Sequence, residues 1–407
     1  MDLSLSERQR ELVGIARALG RDRFAPRAAG YDEAASFPFE NYDDLRAARF
    51  LALTIPERYG GLGADFLTYC LVSAELGRWC AATALTFNMH AGTMLWMSQM
   101  TDDLPMSSAD RESHERNRQA VYRRVVEAGA IFAQTFSEPT HAAAAGRVPF
   151  GTTARRIDSG WRIDGRKHFA SLSGAADYYG ILCTEDRGDG GLDAKNTLYL
   201  AVPAERPGFR VTGPWDPLGM RATVSRNLEL DDVRVDDSSL LMPPGAYYQA
   251  AYHWPHMFLT LCPTFLGIAR AAFDFTVGYL RGEVPGAPPP GARSSAVKQL
   301  AVAEMRLKLE QAEALLLRVL TEAKYQPSKD ERLRAYAAQY TVMETANDLC
   351  RLALRTCGGR SIMRSMPLER LYRDSRCGSL MLPWTAELCA ERLGRESLYE
   401  PGESDAP

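Results

Sequence analysis

The pattern of hydrophobic and polar positions divides the chain into two helical regions with a region of strands between them. Apolar residues recur at helical spacing up to about residue 130, and again from Tyr248 onward. From Phe132 to Val235, short apolar runs alternate with turn-forming residues, which is typical of β-strands. Consecutive blocks of this kind predict segregated α and β layers. We therefore expect an α+β fold with three domains, at residues 1–130, 131–241 and 242–407.

Local signals predict where elements begin and end. Ser4 and Glu7 form a Ser-x-x-Glu capping box at the start of the first helix. The segment from Thr101 to Asn117 is polar and lacks periodicity, so it predicts an exposed loop. In the middle region Asp164-Gly165 is a strong hairpin signal and predicts a turn between two strands.

Composition and charge narrow the range of functions. A hydrophobic content of 46% and a net charge of −3 indicate a globular protein and favour neither nucleic acid nor a membrane as partner. The eight cysteines include no CxxC pair, so we expect no metal site. The most apolar window, Ala81 to Met100, contains polar residues and predicts a core helix instead of a membrane span. Because no signal peptide is visible, we expect a cytoplasmic protein with reduced thiols.

Several short phrases follow one another in a fixed order. Pro56 to Gly63 reads Pro-Glu-Arg-Tyr-Gly-Gly-Leu-Gly, and Thr135 to Pro139 reads Thr-Phe-Ser-Glu-Pro. Lys167 to Ser171 reads Lys-His-Phe-Ala-Ser, and Tyr372 to Asp374 reads Tyr-Arg-Asp. Each phrase alone also fits an ordinary turn or strand. In this order, over about residues 4–395, they resemble the acyl-CoA dehydrogenase family of flavoproteins.

The resemblance implies an N-terminal helical domain, a central β domain and a C-terminal four-helix bundle, with FAD in the cleft between them. In the family, one strand bonds the edge of the flavin ring, an aromatic residue covers one ring face, and a hydroxyl bonds N5. Phe169 matches the aromatic residue and Ser171 the N5 hydroxyl. The matching cofactor residues are Thr135, Phe136, Ser137, Phe169, Ala170 and Ser171.

The match is weaker where the family holds the rest of FAD. Residues 140–146 read Thr-His-Ala-Ala-Ala-Ala-Gly and lack the glycines and serine that the family places against the pyrophosphate. The family's arginine that reaches the cofactor of a neighbouring subunit has no counterpart at its usual position, so Arg281 and Arg293 are candidate replacements. Gly358 and Gly359 match a turn that meets a partner's cofactor. The resemblance thus implies a homodimer or a homotetramer.

The catalytic base is the main departure from the family. Dehydrogenation of an acyl thioester transfers the α-proton to a carboxylate while the β-hydride goes to flavin N5. Anchored on Thr385, the position of the usual glutamate falls on Pro383, which cannot accept a proton. Glu387 follows about one turn later and is typical of a first helical turn. A minority of the family carries its glutamate where this chain has Met257, and a one-residue slip would place His256 there.

Three functions stay open on these grounds. The first is FAD-dependent dehydrogenation of an acyl thioester on CoA or acyl carrier protein, with an electron-transfer flavoprotein or oxygen as acceptor. The second is a flavin-dependent monooxygenase on the same fold, which needs no glutamate because the flavin activates oxygen. The third is a non-catalytic homologue. Tyr59 to Gly63 and the Tyr-Arg-Asp phrase favour the first function, whereas Pro383 favours the other two.

Overall fold

Helices occupy both ends of the chain, and a 7-stranded sheet lies between them. The computed structural model describes residues 5–139, 148–188, 190–284, 286–287, 291–381, 383, 385–400 and 403. The predicted α+β class, with an N-terminal helical domain, a central β domain and C-terminal helices, is confirmed.

The N-terminal helices pack around α5, which is buried on nearly every side. The predicted capping box lies two residues further along, where Ser6 and Gln9 cap α1. His90 of α5 joins the helix to the sheet, because its Nδ1 accepts the backbone N–H of Phe132 at 3.0 Å while Nε2 contacts Leu51 O at 2.7 Å. The helices are α1 Glu7–Leu19, α2 Ala25–Ala34, α3 Phe39–Ala47, α4 Phe66–Trp79, α5 Ala81–Leu95 and α6 Ser108–Ala128.

The prediction of a loop over Thr101 to Asn117 is wrong, because much of this segment belongs to α6. Ser107 caps the helix, with its hydroxyl accepting the N–H of Asp110 at 3.1 Å. Polar residues make up part of the buried face, and Arg118 pairs there with Asp102 at 2.6 Å. A face that is held by ion pairs leaves no apolar period in the sequence.

The strands form one mixed sheet in the order β1-β4-β2-β3-β7-β6, with β5 paired to β4. The parallel pairing of β1 with β4 places the carboxyl end of β1 beside the helical domain. The strands are β1 Phe132–Thr135, β2 Thr153–Ile157, β3 Gly160–Ala170, β4 Tyr178–Glu185, β5 Thr197–Pro203, β6 Phe209–Thr212 and β7 Arg226–Asp236.

Asp164-Gly165 does not form the predicted hairpin turn. Strand β3 continues through both residues, and its pairing with β7 shifts register between Ile163 and Gly165. Asp164 Oδ1 accepts the backbone N–H of Asp232 across this irregularity at 2.8 Å. One residue of β3 therefore lies opposite two residues of β7, and the turn signal marks a β-bulge whose left-handed residue is Asp232 of β7, with a φ of 51°.

The C-terminal helices pack around α10, which contacts α8, α9, α11 and α12. The predicted capping box of Ser328 and Glu331 begins α10. One described segment, His256–Arg281, has the length and apolar composition of a membrane span, but 72% of its apolar window is buried inside the protein, as in core helices. The helices are α7 Ala246–His253, α8 Cys262–Arg281, α9 Ala296–Glu322, α10 Lys329–Cys357, α11 Pro367–Gly378 and α12 Ala386–Leu398.

Candidate active site

A cavity of about 550 Å³ lies where the two helical regions meet the sheet. Its walls come from α5, the end of β1, the end of β3, the turn before β7, the segment before α8 and the segment after α11. This volume lies within the range of small-molecule sites. Apolar side chains form most of the wall: Leu85, Met89, Trp96, Phe136, Met257, Phe258, Leu261, Leu380 and Met381.

Phe169 presents an aromatic ring at this cavity. It ends β3 with a φ of 52°, and 65% of its surface is exposed. A non-glycine residue in this conformation is strained, and such strain concentrates at functional sites. The backbone N–H of His168 donates to Ser137 O at 3.0 Å and so joins the ends of β3 and β1. The position predicted to cover a flavin face therefore holds an aromatic side chain at the cavity.

Hydroxyl groups form a chain along the same wall. The Oγ atoms of Ser171 and Ser225 lie 2.8 Å apart, and Ser225 Oγ lies 2.7 Å from Thr223 Oγ1. Thr223 in turn donates to the carbonyl of Met220 at 2.8 Å. The predicted N5 hydroxyl, Ser171, thus lines the cavity in a fixed orientation. Sequence reasoning missed Ser225, whose only signal is its place two residues after Thr223.

The turn that carries Thr223 is fixed by the Tyr-Arg-Asp phrase. The backbone N–H of Met220 donates to Asp374 Oδ1 at 2.5 Å, and burial raises the pKa of Asp374 to about 6. Gly219 lies against α11 so closely that a Cβ atom there would be 2.3 Å from Arg373 O. Two phrases that are far apart in sequence therefore form one wall of the cavity.

The acidic side chain of Glu138 lines the cavity, but its carboxylate already has an ion-pair partner and backbone hydrogen-bond donors. Lys167 Nζ lies 2.6 Å from Glu138 Oε1, and the backbone N–H groups of Gly151 and Thr152 donate to the carboxylate at 2.7 and 2.9 Å. Burial alone would raise the pKa of Glu138, but Lys167 and these donors lower it below its ordinary value. Glu138 is the only carboxylate that the described residues contribute to the cavity wall. A paired carboxylate of this kind does not serve as a free base.

The three positions considered for the base lie in different places. Pro383, the position predicted to match the family's glutamate, is buried and lines the cavity. Glu387 is exposed in the first turn of α12, away from the described wall. His256 is fully buried, and its ring lies 6.1 Å from that of Trp254 instead of lining the cavity. Met257 and Phe258 line the cavity whereas His256 does not, so this geometry does not support the prediction of His256 as base.

The remaining predicted flavin residues divide between wall and sheet. Ser137 and Phe136 line the cavity, and the Phe136 ring stacks on Trp96 at 5.3 Å. Thr135 instead turns into the sheet, where its hydroxyl donates to Gly180 O at 2.7 Å. Ala170 is buried outside the wall, so neither side chain meets the cavity.

The residues predicted to contact the rest of FAD lie outside this wall. Arg281 pairs with Glu283 at 2.6 Å, and Arg293 is exposed. Gly358 and Gly359 border open space. Their proposed contact with a neighbouring subunit's cofactor stays a prediction, and residues 140–146 lie outside the described residues.

Two buried donors at the cavity have no partner in the described structure. They are Gln134 Nε2 and Trp96 Nε1, on side chains that are 4% and 1% exposed. A buried donor is normally satisfied, so these two atoms indicate a ligand in the cavity. Sequence reasoning missed both, since a lone glutamine in an apolar strand carries no motif.

These observations fit a flavin. The cavity offers an exposed aromatic face in Phe169 and hydroxyls in Ser137 and Ser171, the groups that a flavin ring requires. The described residues contain no group of three or more His, Cys, Asp or Glu side chains that could hold a metal ion.

Comparison with known proteins gives the same result. The family's models match this chain as "Acyl-CoA dehydrogenase, N-terminal domain" at residues 6–101, "middle domain" at 133–233 and "C-terminal domain" at 259–380. Human mitochondrial short-chain specific acyl-CoA dehydrogenase is 27% identical over 377 residues, covering 92% of this chain and 86% of that protein. The 3-sulfinopropanoyl-CoA desulfinase of Paraburkholderia xenovorans is 28% identical over 382 residues, covering 91% of each chain.

A solved structure has the same fold. The dibenzothiophene monooxygenase of Paenibacillus sp. A11-2 superposes with a TM-score of 0.79 at 22% identity, covering 95% of this chain and 97% of that one. Together with the three domain matches, the cavity and its aromatic and hydroxyl walls lead to one conclusion: this chain belongs to the acyl-CoA dehydrogenase family of flavin oxidoreductases.

Proposed function

We propose that the protein is an FAD-dependent oxidoreductase that acts on an acyl thioester without the glutamate base of its family. The observation that carries the proposal is the apolar cavity lined by Phe169, Ser137 and Ser171, and Pro383 in the same wall supports the absence of the glutamate. The relatives support the thioester, because short-chain acyl-CoA dehydrogenase and the desulfinase both carry acyl-CoA in their names. The name of the desulfinase describes a reaction other than dehydrogenation. A relative that matches nearly the whole chain is therefore named for different chemistry on an acyl-CoA.

Bound FAD would supply an acceptor at N5 for a hydride from the acyl chain. The residues that would hold the ring line the cavity: Phe169 would cover a ring face, and the hydroxyls of Ser137 and Ser171 would bond the ring edge. The apolar wall formed by Leu85, Met89 and Leu261 receives the acyl chain and excludes water. Each buried methylene stabilises the complex by about 0.8 kcal/mol.

The proton acceptor that we propose is His168. Its side chain is half-buried and lines the cavity beside Phe169, with ring centroids 4.8 Å apart. Burial lowers the pKa of His168 below the ordinary 6.5, an effect partly offset by Glu138, so the imidazole is neutral at pH 7. The other described cavity groups that titrate are less suited, since Glu138 is paired and burial raises the pKa of Cys377 to about 12.

A second candidate is a flavin-dependent monooxygenase. Pro383 in the cavity wall favours this candidate as well, because oxygen activation by the flavin needs no carboxylate at that position. In that case the aromatic and apolar walls would receive an organic substrate instead of an acyl chain.

Anaerobic mixing of FAD-loaded protein with acyl-CoA thioesters tests the proposal. Bleaching of the flavin absorbance without any added reductant is the result expected from the first function. Flavin that bleaches only with an external reductase, and then consumes oxygen with an aromatic substrate, would establish the second and overturn the first.

We further propose that an electron-transfer flavoprotein or oxygen reoxidises the flavin, and that the protein is a homodimer or homotetramer. Val297, Leu300 and Leu307 support a subunit contact, because these apolar side chains of α9 are 64 to 75% exposed. Size-exclusion chromatography with light scattering measures the subunit number directly.

A further inference from the structure

We infer that the α5 side of the cavity holds a subsite for a neutral hydrogen-bond acceptor on the acyl group, formed by Gln134 and Trp96. This inference rests on the proposed function, because it assigns part of the acyl substrate. Gln134 is 4% exposed and lines the cavity, yet its Nε2 has no hydrogen-bond partner. The hydroxyl of Tyr199 contacts both this carboxamide and Thr93 Oγ1, the latter at 3.0 Å, but Gln134 Nε2 itself keeps no partner. An unpaired buried donor destabilises the empty site and is satisfied when a ligand brings an acceptor.

Helix spacing places the second donor beside the first. Asn88, Gly92 and Trp96 follow each other at four-residue steps and so share one face of α5 and its continuation. A Cβ atom at Gly92 would lie 3.7 Å from Asn88 Nδ2 and 3.7 Å from Gln134 Oε1, so two carboxamides flank the space above this glycine. Trp96 Nε1, also buried and without a partner, comes one turn later.

Asn88 shapes this subsite but does not supply a free donor. Its Nδ2 donates to Tyr69 Oη at 2.7 Å and to Thr260 O at 3.0 Å. The side chain is therefore held in place by the protein itself. The donors that remain for a ligand on this wall are Gln134 and Trp96.

The charge of the wall determines which acceptor fits. None of the described residues that line the cavity is an arginine or a lysine, and the Lys167 ammonium is paired with Glu138. A carboxylate or a sulfinate would leave a buried negative charge without a counter-ion, which is strongly unfavourable. A ketone, an amide or an ether oxygen accepts the same hydrogen bonds without that cost.

The flavin is the other possible source of an acceptor, and the position of the donors separates the two. Gln134 lies beside Gly92 of α5 and Phe136 stacks on Trp96, whereas Phe169 and Ser171 lie at the end of β3. Ser137 and Ser171 are the positions assigned to the ring edge. Gln134 is therefore assigned to the acyl chain.

The test compares pairs of thioesters that differ by one oxygen. Full-length protein with bound FAD is titrated anaerobically with pentanoyl-CoA, with levulinoyl-CoA, and with longer oxoacyl-CoAs in which the ketone moves outward by one carbon at a time. The shift in flavin absorbance and isothermal calorimetry both give the Kd. In the wild type, one ketone position should bind about fivefold to tenfold more tightly than the unsubstituted chain of the same length, as expected for one added hydrogen bond.

Two variants remove the donors one at a time. Gln134→Leu keeps the size of the side chain and should abolish the preference for the ketone, while binding of the unsubstituted chain stays the same or tightens. Trp96→Phe keeps the stacked ring, loses the N–H, and should reduce the preference in part. Gln119→Leu makes the same chemical change on the exposed face of α6 and should keep the wild-type ratio.

Thermal unfolding and FAD content check that each variant is folded, and Trp96→Phe carries the test if Gln134→Leu does not fold. Equal Kd values for ketone and unsubstituted chains in the wild type would overturn the subsite alone. A lowered FAD affinity in Gln134→Leu with an unchanged ketone preference would assign the donors to the cofactor and overturn it as well. Failure of every acyl-CoA to bind would overturn the proposed function and this inference together.

Discussion

At the scale of single residues, the cavity consists of groups whose orientation is fixed by neighbours that carry out no chemistry. Ser171 is oriented by Ser225, which is bonded to Thr223. Phe169 keeps a strained backbone because the N–H of His168 is held by the carbonyl of Ser137. A side chain that is already ordered loses little entropy when a ligand binds, so these contacts favour flavin binding.

Ser171→Ala removes the hydroxyl predicted to bond N5. We expect FAD to bind about fivefold more weakly, or flavin reduction by substrate to slow by a similar factor, since one neutral hydrogen bond contributes about 1 kcal/mol. Titration of the apoprotein with FAD and stopped-flow reduction measure the two effects. Ser397→Ala, on the exposed end of α12, is the control. If both quantities equal those of the wild type, Ser171 does not bond N5.

His168→Gln tests the proposed proton acceptor. Its removal should slow reduction by an acyl thioester by about 10²-fold or more, the contribution of a positioned base. In the wild type the neutral imidazole is the active form, so the rate should fall as the pH decreases through a pKa below 6.5. The variant should lose that limb of the pH profile. His253→Gln, on the outer side of α7, makes the same change away from the cavity, and a wild-type rate in His168→Gln would exclude the residue.

At the scale of elements, glycines allow helices and turns to approach one another. Helices α4 and α8 cross with backbone against backbone, because a Cβ atom at Gly267 would lie 2.5 Å from Ala74 O. Gly77 is equally close to the carbonyl of Thr264, at 2.6 Å. Since α8 follows directly on Met257 and Phe258, this crossing positions part of the cavity wall.

Gly267→Ala should separate α4 from α8. Inserting a methyl group into such a contact destabilises a protein by about 1–3 kcal/mol, and we expect a loss in this range together with weaker substrate binding. Urea unfolding followed by circular dichroism measures the free energy of unfolding. Gly394→Ala in α12 is the matched control, because a Cβ there meets nothing within 4 Å. A Gly267→Ala protein as stable as the control would contradict the close crossing.

At the scale of the whole molecule, buried histidines make the stability depend on pH. Burial lowers the pKa of both His90 and His256 to about 4, against the ordinary 6.5. Between these values the unfolded chain binds more protons than the native protein, so stability is lost as the pH falls from 6.5 towards 4. At 1.36 kcal/mol per pKa unit, each histidine contributes roughly 3 kcal/mol over this window.

His256→Leu should therefore flatten the acid side of the stability curve. The variant replaces the buried imidazole by an apolar side chain that does not titrate. Its free energy of unfolding should therefore fall less than that of the wild type between pH 6.5 and 4. Urea unfolding at several pH values measures the difference. Turnover at pH 7 should survive, because His256 does not line the cavity. If the free energy of unfolding depends on pH in the same way in both proteins, His256 is not a buried neutral imidazole.

The failures of sequence reasoning have physical causes that particular residues show. Asp164-Gly165 has the chemistry of a turn, but the strand continues through both residues opposite a bulge in β7, and only the pairing of β3 with β7 reveals this. Helix α6 lacks an apolar period in its first half because the polar residues His114, Asn117 and Arg118 are part of its buried face. The alignment puts His256 next to Met257, which lines the cavity. A difference of one residue along the backbone is enough to point a side chain away from the cavity.

The sequence by itself determined the fold class, the order of helical and strand blocks, and the family, because local periodicity and short phrases carry that information. It also predicted which residues match the family's flavin and base positions, namely Phe169, Ser171 and Pro383. The tertiary structure decided which polar groups are free. Glu138 is paired with Lys167, 29 residues later in sequence but 2.6 Å away in space, while Gln134 Nε2 and Trp96 Nε1 are left without partners. Whether a side chain is paired depends on contacts between distant segments, and no local pattern records them.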